Sequence, residues 1–210
     1  MVAVTGRTAG RNGKRVRLSP DERRRQLITL GTRMLRERAL EDISIGEVAE
    51  QAGISRGLLF HYFSSKQEFQ LAIVANANAE LLARTEPDRR LELGDMLRDA
   101  VRRYVEYVSE NRTSYLALLR RPAGTELMAL VDATRGAQAD RIMAEIPLPS
   151  DHPDRPRLEL AVRGWIAFVE EVTLSWLTAE TVTREQLIDM LVESLPGLAA
   201  DPTLIALLRN

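Results

Sequence analysis

The sequence predicts an all-α fold, and three observations support this prediction. Apolar residues recur three and four positions apart through most of the chain, which is the spacing of one buried helical face. Serine, threonine or proline precedes many of these runs, in the positions that begin helices. The alternation of apolar and polar residues that marks a half-buried strand does not occur. We therefore expect helices joined by short polar connectors.

The composition predicts a water-soluble cytoplasmic protein without a reactive centre. The 210 residues are 45% hydrophobic, and no apolar run approaches the roughly 20 residues needed to cross a bilayer. The basic N-terminus lacks the apolar segment of a secretory signal. The chain has no cysteine, and its two histidines, His61 and His152, lie far apart in sequence. We therefore expect no catalytic site, no metal, no cofactor and no membrane partner.

Charge is distributed unevenly along the chain. The overall net charge is −1, but residues 1–66 carry 13 Lys+Arg against 7 Asp+Glu and residues 67–210 carry 16 against 23. Residues 1–18 form a glycine-rich basic segment with little apolar content, which predicts a disordered arm. Such an arm either stays solvated or adds contacts to the phosphates or minor groove of DNA.

The first helix follows this arm. Ser19 is the predicted cap, Pro20 occupies the first helical position, and Glu22 completes a capping box. Its spacing turns four apolar residues inward, and its outer face is basic. The inward set is Leu27, Leu30, Met34 and Leu35, and the outer set is Arg23, Arg24 and Arg25.

Two short helices joined by a glycine turn come next. Ser44 and Glu47 predict a capping box, and the apolar stripe that follows is Ile45, Val48, Ala49 and Ala52. Gly53 stands where the chain must leave the helix through a left-handed conformation. Ser55 then caps a helix over residues 56–63. Two helices separated by so tight a turn predict a helix-turn-helix.

The second helix of such a motif enters the major groove of DNA. Arg56 is long enough for a bidentate contact to guanine, Gly57 allows close approach, and Leu58 fits a thymine methyl. His61 suits a base or a phosphate. Leu58 as a core residue and His61 as a solvent-facing one are equally open alternatives, whereas Leu59 and Phe63 are assigned to the core.

The next helix begins with a predicted cap at Ser64-x-x-Gln67 and carries Lys66 in its first turn. A lysine beside a helix N-terminus favours a phosphate contact. The DNA-binding domain is therefore predicted over residues 19–66, with a C-terminal domain over 67–210.

The segment AEQAGISRGLLFHYFSSKQEF resembles the DNA-binding signature of the TetR family of bacterial transcriptional regulators. The resemblance covers roughly residues 19–82. Phe60 stands where the family usually has tyrosine, and Ala39 replaces the usual glycine between the first two helices. The resemblance implies that nine positions face DNA, with Tyr62 supplying a phosphate contact and Gly46 allowing close approach. They are Ser44, Gly46, Ser55, Arg56, Gly57, Leu58, His61, Tyr62 and Lys66.

The rest of the chain predicts further helices. A long one runs from Ser65 to about Arg84, before Pro87, and others span residues 91–110, 113–121, 125–145, 157–179 and 184–195. Residues 147–156 hold four prolines and predict a surface connector.

The last two helices carry more apolar residues than one core-facing stripe requires. The resemblance implies that they pair two chains into a four-helix bundle, and the alternative is that this face is only intrachain core. A twofold dimer requires a palindromic DNA site with half-sites about 34–36 Å apart. The predicted dimer residues are Val162, Val169, Val172, Trp176, Leu187, Met190 and Leu191.

The resemblance also implies a small-molecule effector bound among the middle and late helices. Aromatic and methionine side chains offer adaptable apolar walls, although such residues are more often simply core. The candidate linings are Tyr104, Tyr107, Tyr115, Met128, Trp165 and Phe168. Glu170, Glu171 and Arg163 are the nearest charged candidates.

The sequence thus predicts a homodimeric, sequence-specific DNA-binding regulator, a repressor that a small molecule releases from a palindromic operator. Activation is an open alternative. Two other classes stay open: a non-specific DNA-binding protein without an effector, and an all-helical enzyme or carrier.

Overall fold

A computed structural model describes residues 18–120 and 124–199, and all regular structure in these ranges is helical. The predicted all-α class is confirmed. A short 3-10 helix, Leu40–Asp42, separates the first two α-helices. The α-helices are α1 (Pro20–Leu35), α2 (Ile45–Gln51), α3 (Arg56–Tyr62), α4 (Lys66–Arg84), α5 (Leu93–Glu110), α6 (Arg112–Arg120), α7 (Thr125–Glu145), α8 (Arg155–Ala179) and α9 (Arg184–Ala199). The predicted basic arm lies outside the described residues, apart from Leu18 at its end.

The first hydrophobic core joins α1, α2, α3 and the first half of α4. Leu27, Val48, Leu59 and Phe63 are buried in it, as the helical spacing of the sequence predicts. The same core also includes Phe69, Ile73 and Val74 of α4. The predicted domain boundary after Lys66 falls at the start of α4, and the first half of this helix packs in the first core.

The second core joins α5, α7, α8 and α9. α8 packs against α9, and the indole Nε1 of Trp165 donates to the carbonyl of Leu191 at 2.9 Å and to Ser194 Oγ at 3.0 Å. A buried indole N–H needs such a partner, so these bonds fix the register of the two helices. Leu81 of α4 also belongs to this core, so α4 spans both units.

The end of α9 differs from the prediction. The sequence predicts that the helix stops at Leu195, but it continues through Pro196 to Ala199. Proline removes only one backbone hydrogen bond, and its ring crowds the preceding turn. Pro196 lies in the last turn of α9, so few helical hydrogen bonds follow it and the cost of the proline is small.

Contacts between α7 and the DNA-binding unit join the two halves. Leu127 and Leu130 pack against the first core. Gln67 Nε2 donates to Glu126 Oε2 at 2.8 Å, and Asn78 Nδ2 donates to the Leu130 carbonyl at 3.4 Å. These contacts connect α7 directly to the first core. In the two described ranges no helix is long and apolar enough to cross a membrane.

Candidate nucleic-acid interface and cavities

The turn between α2 and α3 has the predicted conformation. Gly53 has a φ of 66°, the left-handed region in which a side chain would be strained. Its N–H donates to the Glu50 carbonyl, and the N–H of Ile54 donates to the Ala49 carbonyl at 2.9 Å. These bonds satisfy the last carbonyls of α2 and aim the chain into α3.

Helix α3 is capped and anchored so that one face points outward. Ser55 Oγ accepts from the Leu58 N–H at 3.2 Å, which confirms the predicted cap. Leu59 and Phe63 are 0% and 1% exposed and hold the inner face in the core. Leu58 is 40% exposed. The alternative that Leu58 is core is therefore excluded.

The outer face of α3 is otherwise exposed at Arg56, Gly57 and His61. The His61 ring meets the half-buried Tyr62 edge-on, with 5.7 Å between ring centroids. Phe60, which the sequence analysis noted as a departure from the family's tyrosine but did not include among the site residues, carries a large apolar ring that is 47% exposed on the same helix.

Arg56 does not extend freely into solvent. Its guanidinium lies over α2, where a Cβ added to Gly46 would come within 2.6 Å of Nη2 and 2.8 Å of Nε. In the free chain, Gly46 therefore makes room for Arg56. This role differs from the predicted one, in which the missing side chain lets DNA approach the backbone.

The predicted capping box of α2 is wrong. Ser44 is the N-cap residue, but its side chain makes no capping hydrogen bond. Glu47 pairs instead with Arg38, whose Nη1 lies 2.8 Å from Glu47 Oε2. The Arg38 guanidinium offers the Glu47 carboxylate a full positive charge, which the backbone N–H of a capping box lacks. The exposed Ser44 hydroxyl is consequently not engaged in a cap.

The start of α4 is shifted by one residue from the prediction. Ser65 is the cap, and its Oγ accepts from the Glu68 N–H at 3.0 Å. Both the N–H and the hydroxyl of Ser64 donate to Glu68 Oε2 at 2.7 Å, and these bonds hold the pKa of Glu68 below its usual value. Lys66 Nζ donates to the Glu41 carbonyl at 2.9 Å, which holds it beside the 3-10 helix.

The basic outer face of α1 is partly engaged within the chain. Arg23 Nη1 donates to Gln26 at 2.6 Å and to the Ala52 carbonyl at 3.4 Å. Arg24 lies over the Phe63 ring, 4.8 Å from its centroid. Arg25 is exposed. Two of the three predicted arginines therefore also tie α1 to the motif.

Two cavities open among the helices of the C-terminal half. The first lies among α5, α7 and α8, and Tyr104 and Trp165 line it. The second includes Tyr107 and Tyr115 in its wall, which extends to Thr32 of α1. Four of the six predicted lining residues are thus placed on the two cavities.

The other two predicted lining residues lie elsewhere. Met128 is 38% exposed, and Phe168 packs partly buried against the second core. Neither lines the two cavities. Helical spacing shows that a residue lies on an apolar face, but it does not show whether that face meets a gap or a neighbouring side chain.

Buried polar groups lie between the cavities. The hydroxyls of Tyr104 and Tyr115 are 2.7 Å apart, and burial raises the pKa of both phenols. Glu170 belongs to the wall of both cavities and pairs with Arg135 of α7. Glu171 and Arg163, the other charged candidates, are exposed.

Comparisons with known proteins agree with this architecture. Residues 27–73 match the model of the bacterial regulatory proteins of the tetR family, and residues 93–197 match the tetracyclin repressor-like C-terminal domain. The chain belongs to the TetR family. Within this family it is a DNA-binding transcriptional regulator.

Individual TetR-family relatives cover most of the chain. It is 30% identical to the HTH-type transcriptional activator FasR of Mycolicibacterium smegmatis, over 81% of this chain and 80% of the relative. A tetR-family transcriptional regulator from Streptomyces coelicolor is 34% identical, with a TM-score of 0.79 over 91% of this chain and 89% of that one. The nucleoid occlusion factor SlmA of Pasteurella multocida is 36% identical over 34% of this chain and 36% of its own length.

TetR-family regulators dimerise, and the structure limits which predicted dimer residues could take part. Val162, Leu187 and Leu191 are 0% exposed and Val169 is 7% exposed, because they form the core between α8 and its neighbours within one chain. These four have almost no surface left for a partner. Val172 and Trp176 are half-buried, and Met190 is 43% exposed.

Sequence reasoning missed Leu160, which is 72% exposed on α8. Gly164 and Ala167 follow it at helical spacing and are also exposed. A large apolar side chain beside small residues lets a second helix approach closely.

No group of three or more His, Asp or Glu that could hold a metal occurs in residues 18–120 and 124–199.

Proposed function

We propose that this TetR-family chain is a homodimeric, site-specific repressor that a small molecule releases from a palindromic operator. The main support for DNA recognition is the face of α3 that points away from the core. It is fixed from behind by the buried Leu59 and Phe63 and capped by Ser55. A rigid exposed face at this position of a helix-turn-helix is the part that enters the major groove.

The exposed residues on and around α3 would make two kinds of DNA contact, to bases and to phosphates. Arg56 would bind guanine through two hydrogen bonds, Leu58 would contact a thymine methyl, and His61 would contact a base or a phosphate. Gly57 lets the α3 backbone approach closely. Phosphate contacts would come from Ser44, Ser55, Tyr62 and Lys66, which surround this face.

The outer face of α8 and α9 supports the homodimer. Leu160 is exposed on α8 and Met190 on α9, while Val172 and Trp176 of α8 are half-buried. A twofold axis through this face would place the two α3 helices on successive turns of one DNA face, about 34–36 Å apart.

The second cavity supports ligand control. Its wall includes Thr32 and Leu35 of α1 as well as residues of α5, α6 and α7. A ligand in this cavity would therefore touch the DNA-binding unit itself. A ligand that binds better in a splayed arrangement of the two α3 helices would lower the affinity for the operator.

Activation is a second candidate function, and it is favoured by the relative FasR, which is named as an activator. Repression and activation would use the same DNA contacts. They differ in whether the bound protein blocks or recruits RNA polymerase. Transcription in vitro from a promoter that contains the selected site would separate them, because the added protein lowers the transcript in one case and raises it in the other.

The experiment that tests the proposal is selection of bound sequences from a random duplex library at about 150 mM salt. A palindromic consensus is the expected result, since it requires both a specific reader and a twofold dimer. No enrichment would contradict the proposal and favour non-specific DNA binding. Enrichment of a single half-site would contradict the dimer alone.

A further inference from the structure

The Arg135–Glu170 ion pair joins α7 to α8 beside both cavities. Arg135 Nη2 and Nε lie 2.5 Å and 2.9 Å from Glu170 Oε2. The Glu170 side chain is 12% exposed and belongs to the wall of each cavity, whereas Arg135 belongs to neither wall. Glu170 is therefore the acidic group that a molecule in either cavity would meet. The first cavity is also lined by Arg141, whose Nη2 lies 3.0 Å from Glu86 Oε2.

The two partners differ in what they keep if the pair opens. Arg135 Nη1 also lies 3.0 Å from Asp132 Oδ1, one helical turn earlier on α7, and this carboxylate is 64% exposed. Within residues 18–120 and 124–199, Arg135 is the one cation in an ion pair with Glu170. An open pair would therefore leave Arg135 with a carboxylate partner but Glu170 without a cation.

We propose that the effector of this protein is an apolar molecule with a protonated amine, which takes the place of Arg135 at Glu170. This inference rests on the proposed control by a small molecule and names the chemical class of that molecule. The apolar part lies against the walls formed by residues such as Val101, Ile166 and Val169. The ammonium group supplies the cation that the buried carboxylate requires.

Other ligand charges fit the site less well. An anion would have to displace Glu86 from Arg141 in the first cavity, and it would lie in the same cavity as the like-charged Glu170 carboxylate. A neutral alcohol can donate one hydrogen bond to Glu170, but it does not replace the displaced charge. With an amine, every charge keeps a partner, because Arg135 remains paired with Asp132 and the ligand ammonium pairs with Glu170.

The exchange is coupled to DNA binding through α7. Arg135 lies in the middle of this helix, and the first half of the helix packs on the DNA-binding core through Leu127 and Leu130. Release of Arg135 from Glu170 removes the ion pair that holds α7 to α8. The first half of α7 then moves with the Gln67–Glu126 contact and shifts the α3 helices of the dimer.

The test compares three probes with the same tail: octylamine, octanol and octanoate, titrated into the full-length protein by calorimetry at pH 7. We expect octylamine to bind at least about tenfold more tightly than octanol, and octanoate to bind most weakly. Glu170→Gln should abolish the advantage of octylamine over octanol. Glu171→Gln is the matched control, because Glu171 is the exposed neighbour of Glu170, and it should leave the advantage unchanged.

A second variant tests the exchange itself. Asp132→Asn removes the alternative partner of Arg135, so it should weaken octylamine binding while leaving octanol binding unchanged. Thermal melts of each variant, followed by circular dichroism, show whether the fold is kept. Octylamine should also lower the affinity of the wild-type protein for the selected duplex, and it should not do so for Glu170→Gln.

Three results would overturn the inference. They are tighter binding of octanoate than of octylamine, no binding of any probe, and equal octylamine binding by the Glu170→Gln and Glu171→Gln variants. Duplex selection is independent of these titrations. A palindromic consensus without amine binding would reject only the ligand class, whereas absence of a consensus would reject the proposed operator binding.

Discussion

At the scale of single residues, the exposed face of α3 combines one cation with two large apolar side chains. Arg56 lies back over Gly46 in the free chain, while Leu58 and Phe60 are 40% and 47% exposed. Exposed apolar groups of this size on a small helix indicate a partner surface. Thymine methyls are the apolar groups of the major groove, so in the proposed docking these residues would favour A·T pairs beside a guanine bound by Arg56.

Arg56→Ala should weaken binding to the selected operator by about 1–3 kcal/mol and relax the preference at one base pair, because the lost contact is to a base. Lys66→Ala should weaken binding to every duplex alike, because a phosphate contact carries no sequence information. Fluorescence anisotropy with operator and random duplexes measures both. Equal losses on the two duplexes for Arg56→Ala would contradict its assignment as a base reader.

Phe60→Tyr should strengthen binding to operator and random duplexes alike. The ring is 47% exposed, so an added hydroxyl has room to donate to a phosphate, and a net gain of about 1 kcal/mol is expected. Phe60→Leu serves as the control, since it keeps an apolar side chain without a donor. A gain confined to the operator would instead assign position 60 to base recognition.

At the scale of elements, the short helices of the DNA-binding unit depend on their ends. α2 and α3 have seven residues each, which is too short for a stable isolated helix. Caps and buried residues hold them in place. The serines at the two N-caps differ, since Ser55 makes a capping bond and Ser44 does not.

Ser55→Ala should therefore lower the free energy of unfolding by about 0.5–2 kcal/mol, the usual cost of a lost N-cap. Ser44→Ala is the matched control and should change it by less than about 0.5 kcal/mol, as for a surface substitution. Urea denaturation followed by circular dichroism measures both. A larger loss for Ser44→Ala would show that its hydroxyl caps α2 in solution.

The start of α4 should be sensitive to acid. Hydrogen bonds from Ser64 lower the pKa of Glu68, so the ionised carboxylate stabilises the folded state. This contribution is complete above the unfolded pKa of about 4.3 and is lost as the pH falls through the lower folded value. Titration by nuclear magnetic resonance should give a lowered pKa for Glu68, and Ser64→Ala should raise it. An unchanged pKa in Ser64→Ala would contradict this account.

At the scale of the whole molecule, α4 and α7 join the DNA-binding unit to the cavities. α4 contributes Phe69 and Ile73 to one core and Leu81 to the other. A cavity wall shared by α1 and the C-terminal helices means that one bound molecule contacts both units. In the proposed dimer, the relative position of the two α3 helices would therefore depend on both the dimer face and the cavities.

The dimer face gives a prediction at this scale. Leu160→Arg and Met190→Arg should each produce a monomer with greatly reduced operator affinity, because a charge buried in an apolar interface lacks a partner. Leu91→Arg, at another exposed leucine, is the control and should stay dimeric. Sedimentation velocity measures the state of each variant. A dimer that survives both substitutions would place the interface elsewhere.

Local signals in the sequence were sufficient for the class of fold and for most of the helix-turn-helix. Gly53, Ser55, Leu59 and Phe63 were predicted in the roles that they have, because a left-handed turn, an N-cap and a helical stripe involve residues no more than a few positions apart. The predicted Ser44–Glu47 capping box was wrong because Glu47 pairs with Arg38 instead. Arg38 lies outside the short Ser44–Glu47 pattern, so that pattern does not reveal the pairing.

The buried faces that stay within one chain, and the groups that meet across the helices, became visible in the folded chain and not in the sequence pattern. Val162 and Leu187 have the same periodicity as a dimer contact but lie in the intrachain core, because helical spacing records burial without naming the partner. Arg135 and Glu170, 35 residues apart, meet only because α7 packs against α8. The helices and the DNA-binding motif could be predicted because their causes are local. The cavities, the ion pair beside them and the surface left for a second copy depend on packing between distant segments.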